Sequence, residues 1–115
     1  MMNFRKLFGM EPVAGGLHER VVEALRQIRD PELPVNIYDL GLVYGLDIDD
    51  ELGRVDIRMT LTAPGCPVAQ SFPAQVEAMV SSVYGVNEAH VELVWEPPWD
   101  QGRLSEAARL QLGLN

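Results

Sequence analysis

The run Val55-Asp56-Ile57-Arg58-Met59-Thr60-Leu61-Thr62 alternates apolar and polar side chains with a period of two, and Ala63-Pro64-Gly65-Cys66-Pro67 cuts it off. That alternation is the pattern of a strand with one buried face, so the fold must provide a sheet and cover one side of it. Pro64 has no amide hydrogen for a ladder and holds Ala63 extended, while Gly65 can take a positive φ or admit a close neighbour. Pro67 suits the first position of a helix, which puts Cys66 at or next to the N-cap. The chain thus turns from strand to loop to helix around its only thiol. A thiol among unpaired amides at a helix start has its thiolate favoured, with pKa values of about 3.5 to 7.5 known for such positions. A lone Cys is more often a small buried hydrophobe. The strand, the Pro-Gly loop and the proline that follows are what set this one apart.

The rest of the chain supplies the cover. Residues 1–16 are rich in Gly and short of pattern, and read as a flexible arm ahead of a single domain over residues 17–115. From Leu17 to Arg29 the apolar positions Leu17, Val21, Val22, Leu25 and Ile28 recur at helical spacing, and Asp30-Pro31 should stop the helix. The loop from Asp30 to Gly41 combines two prolines, acids and large apolar residues; Leu33, Val35, Ile37 and Leu40 would fasten it to the core and hold Asp30 and Glu32 in fixed places. Leu42 to Ile48 alternates as a strand, and Asp49 to Gly53 turns it back into the strand described above, giving a hairpin. A helix from about Pro67 to Val83 presents Val68, Phe72, Val76, Met79, Val80 and Val83; Pro73 either kinks it or starts its regular part. Ala89 to Trp95 reads as a third strand with Ala89, Val91, Leu93 and Trp95 on its buried face, and His90 on the solvated one. Ser105 is a sound N-cap for a last helix ending at Gly113, from which Ala107, Leu110 and Leu114 would reach the core. The order αββαβα, with a helix between strands two and three, gives a two-layer α/β sandwich on a small three-stranded mixed sheet.

Composition removes several functions. Eight arginines and Lys6 stand against seventeen acids, a net charge of −8, which repels a phosphate backbone or an anionic membrane. One cysteine excludes an internal disulfide framework and suits a reducing cytoplasm. Neither a Gly-rich phosphate loop nor a CxxC pair occurs, and His18 and His90 lie far apart in the chain. What remains is one thiol, the hydroxyls of Thr60 and Thr62, and a loop of carboxylates. One thiolate cannot complete a four-ligand site, so a cluster held by Cys66 would need a second chain or an exogenous thiol.

Four ordered motifs carry a resemblance: Asp30-Pro31-Glu32; Asp39-Leu40-Gly41-Leu42-Val43-Tyr44; Thr60-Leu61-Thr62-Ala63-Pro64-Gly65-Cys66-Pro67; and Trp95-Glu96-Pro97-Pro98-Trp99. Together they resemble the metal-sulfur cluster biosynthesis family, which includes bacterial SufT and PaaD and the small subunit of the eukaryotic cytosolic iron-sulfur targeting complex. The resemblance covers residues 17–114. It implies a small α/β domain that acts in iron-sulfur protein maturation, with Cys66 as the functional thiol, Asp30 and Glu32 as the acids of the Asp-Pro-Glu motif, and Thr62 and Gly65 beside the thiol. Two departures are visible: Ala63 stands where some members carry a second threonine, and Pro73 interrupts the second helix. The chain lacks the cysteine-rich extension of PaaD, which points to a stand-alone, SufT-like factor.

Three functions follow from this reading. The first is an accessory factor in cluster assembly or delivery, handling a labile cluster shared across a homodimer or with iron-sulfur scaffold, carrier and client proteins. The second is a non-catalytic adaptor in which Cys66 is structural and Trp99 anchors a partner. The third, a thiol enzyme, lacks a visible general base near the thiol. Trp95 is expected to be a buried packing residue, and Asp30 and Glu32 to be exposed acids that serve the thiol site.

Overall fold

A computed structural model describes residues 16–31, 33–62 and 71–113. The first helix, α1 (Leu17–Leu25), buries Leu17, Val21, Val22 and Leu25 on one face, as its periodicity predicts. It ends four residues before the expected stop. The amides of Gln27 and Ile28 donate to the carbonyls of Ala24 and Leu25, tightening the last turn. Arg29 then pairs with Asn36 in an isolated antiparallel bridge. The extended geometry that Pro31 forces on Asp30 therefore reaches back to Ile28, whose carbonyl accepts from the Ile37 amide at 2.8 Å.

The sheet has the expected order and sense. Strands β1 (Val43–Asp49) and β2 (Arg54–Met59) are antiparallel, β3 (Glu88–Leu93) lies parallel to β2, and β2 is central. Helix α2 (Phe72–Ser81) makes the crossover, packing on β3 and against α1. Pro73 stands in its first turn, so of the two sequence readings the helix takes the one that begins there. Phe72, Val76 and Val80 are its buried stripe, facing Val55, Ile57 and Met59 of β2 in one core. Met79, expected inside, is exposed because it lies one position off that stripe. The opposite face of the sheet is charged, with Arg54 paired to Asp56 and Glu88, and His90 exposed beside Glu88. The free edge of β3 is also managed: the Glu77 carboxylate of α2 accepts the Val91 amide at 2.9 Å.

After β3 the chain folds over the far end of the sheet. A 3₁₀ turn (Gln101–Arg103), absent from the sequence reading, is capped by the Asp100 carboxylate. The last helix, α3 (Glu106–Gln111), is capped by Ser105 as predicted, its Oγ accepting from the Ala108 amide. Its phase differs from the expected one. Leu104, Ala108 and Leu112 pack on the core at four-residue spacing, whereas Ala107 and Leu110 are exposed. Leu114 lies outside the described residues, as do residues 1–15 of the expected arm.

Gly41 fixes where this last segment sits. Its φ of 79° is in the left-handed region, and a Cβ there would overlap the Arg103 carbonyl oxygen and stand 2.8 Å from the Arg103 Cβ. Gly41→Ala combines that strain with a backbone clash and is expected to cost about 2 kcal/mol or more, read as a lowered urea midpoint at unchanged slope.

Candidate functional site

The C-terminal end of β2 is where the sequence motifs converge. The Thr60 amide donates to the Leu42 carbonyl at 2.9 Å, the Leu42 amide to Ile37 at 3.1 Å, and the Ile37 amide to Ile28 at 2.8 Å. These bonds tie the Asp30–Gly41 loop, between α1 and β1, to the end of the central strand. On the other side, the Val94 amide donates to the Met59 carbonyl at 2.8 Å and carries the β2–β3 pairing one residue further.

Asp30 is buried, at 7% exposure. Its Oδ2 accepts the Leu33 amide at 2.9 Å, and its own amide donates to the Val35 carbonyl at 3.1 Å. The carboxylate closes the turn that Pro31 opens, which corrects the expectation of an exposed acid with no part in stability. Removing a buried acceptor costs about 1 to 3 kcal/mol. Asp30→Ala is expected to lose stability in that range in chemical denaturation, whereas a surface acid would change it by less than about 0.5 kcal/mol.

The two threonine hydroxyls separate. Thr60 is buried, and among the described residues its Oγ1 has no hydrogen-bond partner. Thr62 is half-buried. Glu32, Gly65 and Cys66 lie outside the described residues, and so does the expected helix start at Pro67. The described helix begins at Phe72 with Ser71 as its N-cap, so the positive end of the α2 dipole stands five positions after Cys66 in the chain.

Of the two tryptophans, it is Trp99 that packs. Trp99 is half-buried against the core, and its indole Nε1 donates to the Leu40 carbonyl at 2.7 Å. Trp95, expected to be the packing residue, lies beyond β3 and is 39% exposed. The alternation that assigned it to the buried face continues past the point where the strand ends. Trp99→Phe is accordingly expected to cost about 1 to 3 kcal/mol through the orphaned Leu40 carbonyl, and Trp95→Ala under about 1 kcal/mol; denaturant midpoints of the two variants check the order.

A cationic corner beside this site was missed by the sequence reading. Val43 pairs with Met59 and Gly45 with Arg58, so Tyr44 is the extra residue of a β-bulge. Its hydroxyl donates to the Pro97 carbonyl at 2.8 Å, and the Arg103 guanidinium lies 4.5 Å from its ring centroid. Burial pushes the Tyr44 phenol above its ordinary value, Arg103 opposes this, and Asp100 adds to it. Gly41, Val43, Tyr44, Pro97, Gly102 and Arg103 line an open hollow of about 560 Å³. Gly45 inside an otherwise regular strand was the available signal, since a strand glycine often marks a bulge or a close approach.

Comparison with known proteins places this geometry. Residues 18–93 match the model of a family described as iron-sulfur cluster assembly protein. A Porphyromonas gingivalis protein named Fe-S protein maturation auxiliary factor is 46% identical over 95 residues, covering 83% of this chain and 90% of that protein. The Fe-S protein maturation auxiliary factor SufT of Staphylococcus aureus is 38% identical over 86 residues, covering 75% of this chain and 97% of its own. The crystal structure of a domain of unknown function, DUF59, from Bacillus anthracis superposes with a TM-score of 0.77 at 39% identity, covering 86% of this chain and 93% of that one.

Proposed function

The chain belongs to the iron-sulfur cluster assembly protein family, and we propose that it is an accessory factor in iron-sulfur protein maturation that works by binding and delivery through the thiol of Cys66. One observation carries the reading: the family match spans Thr60 to Pro67, the segment that leaves the central strand and bears the chain's only cysteine. Its relatives are named auxiliary factors, which supports a role without turnover. The cluster is cargo. Because each chain supplies one sulfur, the cargo is shared, either between two copies of this chain or with the thiols of a scaffold, carrier or client protein. A labile bond of this kind suits transfer better than storage. In this reading Thr62, half-buried and three residues beyond the end of β2, supports the thiol's segment, and Asp30 contributes by shaping the loop that borders this end of the sheet. Glu32, two residues on, is the motif's second acid, and Gly65 precedes Cys66 in the sequence as a residue for which positive φ carries no Cβ penalty. The lone cysteine suits the reducing cytoplasm, and among the described residues no helix is long and apolar enough to cross a membrane.

Cys66→Ser is expected to fold with an unchanged denaturation midpoint and to lose cluster transfer to an apoprotein, with the iron and sulfide retained after anaerobic reconstitution falling to background. Iodoacetamide labelling of the wild type near neutral pH should be fast, as a thiolate-rich cysteine requires. An unreactive thiol together with full transfer by the serine variant would instead identify Cys66 as structural and the protein as an adaptor.

A further inference from the structure

The outward side of α2 carries no charge. Its exposed residues are Ala74, Gln75, Ala78, Met79 and Ser81, with Ser82 at the C-cap. Glu77, the helix's one ionisable residue, is half-buried, and its carboxylate is committed to the Val91 amide at 2.9 Å. The other two described helices differ: α1 exposes Glu19 and Glu23, and α3 exposes Glu106. Residues three and four apart on a helix are neighbours, so Ala74, Ala78 and Ser82 form one row, with Gln75 and Met79 beside it. The surface is shallow because alanine and serine are short, and its largest side chain, Met79, is 41% exposed. Gln75 and the serines make it polar in part, but a solvated helix face normally carries charge as well. In a chain with seventeen acids, that absence sets α2 apart.

The chain enters the domain at the C-terminal end of this helix. Arg20 of α1 donates through its Nε to the Tyr84 carbonyl at 3.1 Å, and a Cβ on Gly85 would stand 3.3 Å from the Leu17 Cδ1. The first turn of α1 therefore abuts the turn that closes α2, where the Tyr84 ring is 65% exposed. Gly16 precedes α1 with a φ of 113°, a conformation that a side chain would resist, so the chain changes direction there. Residues 1–15, ahead of it, lie outside the described residues, and their composition is unlike that of the domain. They hold Arg5, Lys6 and one acid, Glu11, whereas the rest of the chain sets seven arginines against sixteen acids. Phe4, Leu7 and Phe8 recur at the three- and four-residue spacing of one helical face, from which Arg5 and Lys6 are offset. The backbone from Phe8 to Leu17 reaches about 30 Å when extended, twice the roughly 15 Å length of α2.

We propose that Phe4, Leu7 and Phe8 of the chain's own N-terminal arm dock on the exposed face of α2. The two phenyl rings and the leucine fill the space above Ala74 and Ala78 and cover Met79. Arg5 and Lys6 keep to the solvated side, where a domain with an excess of acids attracts them. The tether favours this occupant over a free one. A connection of this length holds the segment at an effective concentration of about millimolar order, which is what a docking segment with three anchors needs. A second copy of the chain has no such advantage, and its approach brings two acidic domains together. The docking stands independently of the maturation function. For a maturation factor its consequence is that a partner reaching this face of α2 first displaces the arm.

The test uses the full chain with ¹³C-labelled methionine methyl groups and the neutral nitroxide TEMPOL as a surface probe. NOEs are expected from the Met79 methyl to the ring protons of Phe4 and Phe8, which are distinguished from those of Phe72, the buried third phenylalanine. TEMPOL should broaden the Met79 signal at least about threefold more in Phe4→Ser/Phe8→Ser than in the wild type. Met59, buried in the core, should stay sharp in both. Ala78→Arg, at an exposed position, places a cation and a long side chain in the seat and should raise the broadening of Met79 in the same way. Absence of the NOEs, or equal broadening of Met79 in the wild type and the double variant, would overturn the proposal. Shielding of Met79 that persists in the double variant and grows with protein concentration would overturn it in favour of a second copy. NOEs from the arm to other parts of the domain, unchanged by Ala78→Arg, would overturn the site. The wild-type NOEs decide the matter even if a variant folds poorly. Cys66→Ser should keep them whether or not it loses cluster transfer, so this docking and the thiol reading fail separately.

Discussion

The end of the molecule that carries the family's motifs depends on the close approach of residues 39–41 to the C-terminal segment. Each of the three holds one contact: the Asp39 carbonyl accepts the Ser105 amide at 2.8 Å, the Leu40 carbonyl accepts the Trp99 indole at 2.7 Å, and Gly41 lies against the Arg103 backbone. A single such hydrogen bond contributes about 1 kcal/mol net, but an orphaned buried partner costs more. Loss of any one contact therefore exposes the others. The short motif Asp39-Leu40-Gly41 is, in physical terms, a seat for a segment some sixty residues further along the chain.

That seat determines the geometry on both of its flanks. Toward the N-terminus it fixes the loop in which Asp30 is buried, because Leu40 and Ile37 are both sealed in the core and the Leu42 amide is committed to Ile37. Gln111 adds a clamp from α3 by donating to the Pro34 carbonyl at 3.0 Å. Toward the C-terminus it sets the height at which Arg103 crosses Tyr44, and the bulge turns Tyr44 to meet it. The loop, the bulge and the 3₁₀ turn are separate in sequence and form one mechanical unit at the end of the central strand.

The parts of this structure legible in the sequence are those set by periodicity. Alternation located all three strands and their facing residues, helical spacing located α1, and the order αββαβα with a mixed sheet followed from the single crossover. Boundaries were read less well wherever a tertiary contact overrides local preference. Helix α1 ends early because Arg29 finds Asn36, and β2 ends as a named strand at Met59 although alternation runs to Thr62. The exposure of Trp95 has the same origin. Period-two spacing assigns Trp95 a face but does not reveal that the strand stops at Leu93, and no local pattern encodes the reach of Trp99 back to Leu40. Of the site residues, Asp30 and Thr62 were legible as motif positions, but the burial of Asp30 was not, since an acid beside a proline in a loop reads as exposed. The corner where Arg103 lies over Tyr44 was illegible apart from Gly45, because it joins residues 59 positions apart beside a bulge. Cys66, Gly65 and Glu32 fall outside the described residues.

Along both edges of the sheet, charge opposes the addition of a partner strand. At β3, the Glu77 carboxylate occupies the Val91 amide, so a partner strand would have to displace a charged acceptor and leave it unpaired. At β1, the strand closes in Asp47 and Asp49 and turns through Asp50 and Glu51, and a like-charged copy of the same edge would bring those acids together. On the outer face Arg54 pairs with Asp56 and Glu88, and His90 lies beside Glu88. At the end of the sheet the indole of Trp95 is exposed and the Arg103 guanidinium lies over the Tyr44 ring. Aromatic and arginine side chains are the types that dominate binding energy at protein interfaces.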